Sequence, residues 1–259
     1  MTPELIIAIE VCLKAGKSML RRDCCHVSGL FDEYDSGLSP EEAGLEVHRL
    51  ITHSLAVAGL PVLGAYGEGV SYEVRSGWRQ FWLVAPVDRE PGLPEATVSV
   101  ALIDGHEPVL GVVYAPATDE LYCASREAGA YRVRYASSTF AETTRLFSPP
   151  RKPAVPSTRP SRLLVSRLHL DEQMLGYIEE LGRDYPGIDL LQREGTLNFC
   201  MVAAGDAELY PRLDTTSEWD TAAGHAILKA TGKSVVDIYT GRELWYNKPE
   251  MVNPQFIAR

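Results

Sequence analysis

The chain has 259 residues, of which 45% are hydrophobic and 23% are charged, with a formal net charge of -10. This length and balance are typical of a globular protein that buries one substantial core or two coupled cores, and they argue against disorder. The negative charge disfavours a surface for nucleic-acid polymers, because phosphate backbones are bound chiefly by Lys and Arg. A local basic pocket remains compatible with this charge.

The N-terminal segment and the cysteines favour a cytoplasmic protein. Acidic residues lie inside the first apolar stretch and basic residues follow it, which is the reverse of a signal peptide. No later run approaches the roughly 20 apolar residues that span a bilayer, so no membrane association is predicted. The five cysteines contain no C-x-x-C pair, and we expect reduced, inert thiols. Cys24-Cys25 is a weak candidate for a soft metal, since no His/Cys cluster lies nearby to complete four ligands.

Two helices are predicted in the first 60 residues. The first begins at Thr2-Pro3-Glu4, where a capping residue, a first-turn proline and an acid come in the order that a helix start favours, and its apolar face continues to Met19. The second begins at the capping box Ser39-Pro40-Glu41-Glu42 and continues to Leu55 on the 3.6-residue period. We expect both helices to pack on a sheet that follows.

An antiparallel meander is predicted from Gln80 to Tyr131. Short β-branched and aromatic runs are separated there by turn formers such as Asp104-Gly105. The segment 147–160 is dense in proline, which lacks a backbone donor and fixes φ, so it predicts an extended connector.

Strand and helix alternate after residue 160. The runs SRLLVS, DLLQRE, AELYPR and SVVDI predict strands, SVVDI being the final one, and DEQMLGYIEELG, GTLNFCMVAAG and TSEWDTAAGHAILKATG predict helices. The chain therefore divides into an N-terminal α+β half at 1–150, a connector at 151–160 and a C-terminal α/β half at 161–259.

One phrase places an acid in the first turn of the last predicted helix, Glu218-Trp219-Asp220-Thr221-Ala222-Ala223-Gly224-His225. By itself Asp220 could be a capping acid, because helix N-termini favour negative charge. Together with FWLVAPVD, TVSVALIDG, VLGVVYAPATDELY, TLNFCMVAAGDAELYPR and YNKPEMVNPQF, taken in order, the phrase resembles the inositol monophosphatase superfamily, close to its CysQ-type bisphosphate nucleotidases. The resemblance implies an αβαβα layered sandwich with the site between the two halves.

The resemblance also implies Mg²⁺-dependent hydrolysis of a phosphate monoester. Clustered Mg²⁺ ions lower the pKa of the attacking water and neutralise the phosphoryl oxygens, and carboxylates hold these cations. By their place in the matching motifs, Glu68, Asp88 and Asp220 are the implied metal ligands and catalytic acids.

The metal motifs depart from the family pattern. Gly69 stands where a second glutamate is expected after Glu68, Ala85 stands where the strand-ending motif has its first aspartate, and Arg89-Glu90 replaces Gly-Thr. A guanidinium such as that of Arg89 can bind phosphate in a bidentate manner but cannot generate a metal hydroxide. We therefore expect weakened Mg²⁺ binding. Glu73, Glu90 and Asp104 are weaker candidates for replacement ligands.

The positions implied to face the substrate match the family motifs more closely than the metal-binding positions do. The resemblance implies that Ser166 and His169 of an S-x-x-H element, and Arg212 of Y-P-R, contact a second phosphate or the sugar. Asn198 stands where that branch usually has lysine, so one phosphate contact changes from charged to neutral. An alternative interpretation also remains open, in which His169 caps a helix and Arg212 pairs with a surface acid.

The sequence is compatible with three functions. The first is a CysQ-like protein with impaired or absent hydrolysis that binds a small phosphorylated ligand, such as 3'-phosphoadenosine 5'-phosphate. The second is a slow but active metal-dependent phosphatase. The third is a non-catalytic scaffold or accessory protein that works through a subunit interface. The resemblance also implies a homodimer.

Overall fold

The two helices predicted in the first 60 residues are both confirmed. The computed structural model describes residues 1–21, 40–66, 69–88, 96–146, 161–166, 170–183 and 187–259. Within these residues the helices are α1 (Pro3–Arg21), α2 (Pro40–Leu55), α3 (Tyr72–Arg75), α4 (Glu172–Leu181), α5 (Leu197–Ala204) and α6 (Glu218–Ala230). Across the described ranges, none of them combines the length and apolarity that crossing a bilayer requires.

The strands fall into one large sheet and a set of shorter pieces. In the first half they are β1 (Val62–Gly64), β2 (Gln80–Asp88), β3 (Thr97–Asp104), β4 (Glu107–Ala115), β5 (Glu120–Ser125), β6 (Gly129–Arg134) and β7 (Glu142–Leu146). In the second half they are β8 (Ser161–Val165), β9 (Ile188–Gln192), β10 (Tyr210–Arg212), β11 (Thr216–Ser217), β12 (Val235–Asp237), β13 (Val252–Asn253) and β14 (Phe256–Ala258).

The predicted meander is confirmed as a seven-stranded sheet with the strands in chain order from β1 to β7. Each neighbouring pair is antiparallel except β1, which lies parallel to β2. Gly105 takes a φ of +63° in the tight turn between β3 and β4, as the Asp104-Gly105 signal predicts. Helices α1 and α2 cover one face of this sheet, where alternate strand residues such as Trp82 and Val98 meet Leu5 and Ile51.

Helices α5 and α6 cover the opposite face. The intervening strand residues, such as Leu83 and Ala101, pack there with Phe199 and Ile227. Gly111 on β4 permits the approach of α6, because a Cβ at that position would lie 2.3 Å from the carbonyl oxygen of Ala223. The sheet therefore holds the first turns of α5 and α6 near the end of β2.

A second sheet lies on the far side of α5 and α6. Strand β8 pairs in parallel with β9, β14 lies between β10 and β12, and a parallel bridge from Leu163 to Leu209 joins the two groups. Met174 of α4 packs on its outer face with Val165 and Ile257. The layers run α1/α2, first sheet, α5/α6, second sheet, α4, which confirms the predicted αβαβα sandwich.

Some sequence predictions require correction. SVVDI is not the final strand, since β13 and β14 follow it and β14 pairs antiparallel with β10 and β12. A strand of three residues is too short to reveal a period-2 pattern. Strands β1 and β7 and helix α3 were not predicted either, and β7 is an edge strand whose first four residues are all exposed. The predicted connector at 151–160 lies outside the described residues.

Candidate functional site

A cleft of about 140 Å³ opens between the end of β2 and the N-termini of α5 and α6. Three of the predicted site residues line it together: Asp88, Asp220 and Arg212. Asp88 lies more than a hundred positions before Arg212 and Asp220 in the sequence, and the packing of α6 on the first sheet brings the three together. One cleft therefore brings together an acid of the first half with an acid and a guanidinium of the second half.

Asp88 is fixed by a residue that the sequence reasoning did not single out. The hydroxyl of Thr196 donates to Asp88 Oδ2 at 2.6 Å, and the backbone N–H of Thr196 donates to the same oxygen at 2.8 Å. Gly195, with φ at +73°, makes this approach possible, because a Cβ there would lie 3.1 Å from Asp88 Oδ2. Oδ2 of Asp88 is thereby engaged by two donors from the protein.

Asp220 occupies the third position of α6, where its Oδ2 accepts a 2.8 Å hydrogen bond from the backbone N–H of Ser217. Burial, and to a smaller extent the Asp88 carboxylate, raises the pKa of Asp220 to about 6. Burial disfavours the charged form of the carboxyl group, and the second anion at Asp88 adds to this effect. A cation placed between them would relieve this repulsion.

Arg212 provides the positive charge of the cleft. Its Nε lies 2.6 Å from Asp214 Oδ1, and its Nη1 donates to the hydroxyl of Tyr210 at 3.2 Å. Although burial alone would lower the pKa of Arg212, Tyr210 and Asp214 hold it above its usual value. Beside the guanidinium, Phe199, Tyr210 and Phe256 form a cluster of mutually packed rings that also lines the cleft. A charged donor and an apolar wall thus lie side by side.

Two other predicted contacts lie away from the cleft lining. Asn198 is fully buried within α5, and its Nδ2 donates to the carbonyl of Arg193 at 3.1 Å. Ser166 is buried directly after β8. Neither residue is among those that line the cleft. The side-chain amide of Asn198 thus joins α5 to the segment that precedes it.

Ala85 lies buried on β2, three residues before Asp88, with a β-bulge between them. It shares the α6-facing side of the strand with Leu83, and its cross-strand partner is Ser99. The hydroxyls of Ser99 and Thr97 are buried and have no hydrogen-bond partner among the described residues. Two donors therefore lack an acceptor next to the methyl group of Ala85, where the family resemblance implies a carboxylate.

Glu68, Arg89 and His169 lie outside the described residues, so the structure does not place them. Gly69 is described and exposed. Within the described ranges, no three His, Cys, Asp or Glu side chains come together as a metal-binding group. The described part of the site thus contributes two acids, Asp88 and Asp220.

Of the weaker candidates, the two that the structure describes, Glu73 and Asp104, do not line the cleft. Glu73 is exposed on α3, and Asp104 receives a 3.3 Å hydrogen bond from Gln80. Asp104 lines a larger groove of about 560 Å³ beside the N-terminus of α1, which contains none of the main predicted site residues. Glu90 lies outside the described residues, as does Cys24-Cys25.

The described cysteines fit the prediction of inert thiols. Cys12, Cys123 and Cys200 are free and buried. Burial raises the pKa of each thiol, that of Cys123 to about 12. The reactive thiolate form is therefore scarce at neutral pH.

The comparisons with known proteins agree with this architecture. Residues 55–256 match the model of the inositol monophosphatase family. The chain belongs to the inositol monophosphatase family. Members of this family are metal-dependent phosphatases, and Mg²⁺ is their typical metal.

Relatives within the family are CysQ proteins. The chain is 35% identical to the 3'(2'),5'-bisphosphate nucleotidase CysQ of Salmonella typhimurium over 221 residues, which cover 83% of this chain and 82% of that protein. The crystal structure of CysQ from Bacteroides thetaiotaomicron matches with a TM-score of 0.84 and 31% identity, covering 98% of this chain and 96% of that one. The suhB protein of Bartonella henselae, at 23% identity and a TM-score of 0.70, shares the fold.

Proposed function

We propose that this chain is a CysQ-like protein that binds a phosphorylated nucleotide, such as 3'-phosphoadenosine 5'-phosphate, and that its hydrolysis is impaired or absent. The relatives named 3'(2'),5'-bisphosphate nucleotidase support the ligand class. The single observation that carries the impairment is the methyl group of Ala85 beside Asp88, at a strand position where the resemblance implies a bridging carboxylate.

The described acids fit one Mg²⁺ ion better than a cluster. Asp88 and Asp220 each have Oδ2 engaged by a protein donor, and we assign Oδ1 of each to a cation. Mg²⁺ is commonly held by one or two carboxylates together with water. Two ions side by side need an anion between them to offset their repulsion, and Ala85 supplies none.

If bound, Mg²⁺ would supply charge neutralisation and a more acidic water. The chain's own residues supply the rest. Arg212 stays charged and is positioned by Asp214 and Tyr210, so it can donate to a phosphate oxygen. Phe199 and Phe256 present an apolar wall next to it. These groups can bind a phosphorylated nucleotide without a metal.

Calorimetry tests this proposal directly. Titration with 3'-phosphoadenosine 5'-phosphate should show binding, with an affinity that changes little between chelator and added Mg²⁺. Arg212→Met should weaken binding at least about tenfold, since it removes a charged hydrogen-bond donor. Arg162→Met is a matched control, because Arg162 pairs with Glu208 away from the cleft. A ligand that binds only with the metal would count against the proposal.

A second candidate function is a slow, active phosphatase, and the convergence of Asp88 and Asp220 on one cleft favours it. A phosphate-release assay over nucleoside bisphosphates and sugar phosphates, with and without Mg²⁺ or Mn²⁺, separates the two. Hydrolysis of 3'-phosphoadenosine 5'-phosphate at rates typical of the family would establish the second. If hydrolysis is instead metal-dependent but slow, Ala85→Asp combined with Arg89→Gly should raise turnover.

A scaffold role remains a third proposal, together with the homodimer. Phe140 and Tyr239 are 83% and 75% exposed and are therefore accessible to a partner. Light scattering on the purified chain measures the association state. A monomer at all concentrations would remove this proposal.

A further inference from the structure

The loop after Tyr246 joins α3 to the rest of the molecule. Arg75 Nη1 donates to Asn247 Oδ1 at 2.7 Å, and Asn247 Nδ2 donates back to the carbonyl of Arg75 at 2.8 Å. Arg75 Nη2 also donates to the carbonyl of Pro249 at 2.6 Å. Since Arg75 and Asn247 are both buried, these bonds are shielded from water. They fix the loop against α3 in one orientation.

The same loop holds the first turn of α6. Glu218 is fully buried, and it accepts hydrogen bonds from the backbone N–H groups of Asn247 at 2.6 Å and Lys248 at 2.9 Å. The Nζ of Lys248 lies 2.7 Å from Glu218 Oε1 and balances its charge. A buried carboxylate with this many donors resists displacement. Glu218 lies two residues before Asp220.

Asn247 is the residue at which both connections meet. Its φ is +64°, a region in which non-glycine residues are uncommon. Such a conformation persists where the surroundings over-determine it. Here the side chain bonds to Arg75 and the backbone N–H bonds to Glu218. One residue therefore couples α3 to α6.

We propose that Arg75, Asn247, Lys248 and Glu218, called here the clasp, act as positioning residues for the cleft. The clasp fixes the first turn of α6, which carries Asp220, relative to residues 69–75, which follow Glu68 in the chain. None of the four lines the cleft, so they act through the backbone of α6 and α3. This inference rests on the proposed function, because it takes the cleft as the ligand site.

Asn247→Gly isolates the coupling. Glycine keeps the positive φ and the N–H that donates to Glu218, and it removes both side-chain bonds to Arg75. Asp119→Gly is a matched control. Asp119 also has a positive φ, of 51°, and its side chain accepts bonds from Tyr114 and Ser137 rather than from residues at the cleft.

Two readouts decide the proposal. Hydrogen–deuterium exchange of the ligand-free chain should accelerate about tenfold in both 69–77 and 217–222 for Asn247→Gly and in neither segment for Asp119→Gly. Calorimetry with Mn²⁺ alone and with 3'-phosphoadenosine 5'-phosphate should show at least about tenfold weaker binding for Asn247→Gly only, because small displacements of a site are costly.

The outcomes that overturn the clasp are distinct from those that overturn the proposed function. Faster exchange confined to 245–250, or unchanged binding alongside a fall in melting temperature like that of Asp119→Gly, would show a merely structural role. If the unmodified chain binds neither probe, the proposed function fails, and the exchange measurement alone then decides whether α3 and α6 are coupled.

Discussion

Thr196 donates two hydrogen bonds to one oxygen of Asp88, from its hydroxyl at 2.6 Å and from its backbone N–H at 2.8 Å. Hydrogen bonds to ionised groups are stronger than neutral ones. The hydroxyl does not cap α5, although Thr196 stands at the capping position of that helix. Its bonding capacity is used on Asp88, which ties the end of β2 to the start of α5.

Thr196→Val should therefore lower the free energy of unfolding by about 2 kcal/mol, because the variant removes a hydrogen bond to a charged acceptor. Urea denaturation measures this change. Thr196→Ser keeps the hydroxyl and should stay close to the unmodified protein. Equal stability of the valine and serine variants would show that the hydroxyl does not hold Asp88 in solution.

Asp220 should make stability depend on pH. Its pKa is raised from 3.8 to about 6, so between these values the folded state binds more protons than the unfolded state. Stability then falls as the pH rises through this window. Asp220→Asn should be more stable than the unmodified protein above about pH 6, by at most about 3 kcal/mol, and equal to it below about pH 4. Urea midpoints across pH 3 to 8 measure the difference, and a constant gap would refute the assignment.

Ala85→Asp should create a dependence on metal. Without metal the variant should melt below the unmodified protein, since a further carboxylate would lie beside Asp88 in a buried strand. Mn²⁺ at about a hundredfold excess over its Kd should restore about 2.7 kcal/mol. Ala85→Asn is the uncharged control. An equal Mn²⁺-induced gain in stability for the unmodified protein, Ala85→Asp and Ala85→Asn would show that the absence of a carboxylate at residue 85 does not weaken metal binding.

Gly224→Ala should disrupt the contact between α5 and α6. A Cβ at this position would lie 2.6 Å from Phe199 Cβ, so the two helices would have to move apart, at a cost of about 1–3 kcal/mol. Gly176→Ala, on the exposed face of α4 with no atom within 4 Å of the new Cβ, should instead gain up to about 1 kcal/mol. Thermal melting of both variants checks the pair, and a stable Gly224→Ala would call the packing into question.

Periodic sequence patterns were enough to predict most of the fold. The amphipathic run after Pro3 reflects burial on one face of a helix, and the β-branched and aromatic runs between Gln80 and Tyr131 reflect strands that are buried on both faces. Strand β14 could not be predicted in this way, because three residues show no period and its place between β10 and β12 depends on contacts distant in sequence.

The site was predicted in part. Asp88, Asp220 and Arg212 stood in motifs whose residue types carry the chemistry, and the cleft brings them together. Thr196 was missed because its partner lies 108 positions away, although Gly195-Thr196 at a helix start was an available signal. Asn247 was missed for the same reason, since its role depends on Arg75 and Glu218.

With a methyl group at Ala85, we expect that the region around Asp88 does not bind two adjacent divalent cations. Anomalous scattering from crystals soaked in Mn²⁺ measures this directly. We predict at most one partly occupied site, between Asp88 and Asp220. Two fully occupied and well-coordinated Mn²⁺ ions beside Asp88 would show that the Ala85 methyl group does not impair the metal site.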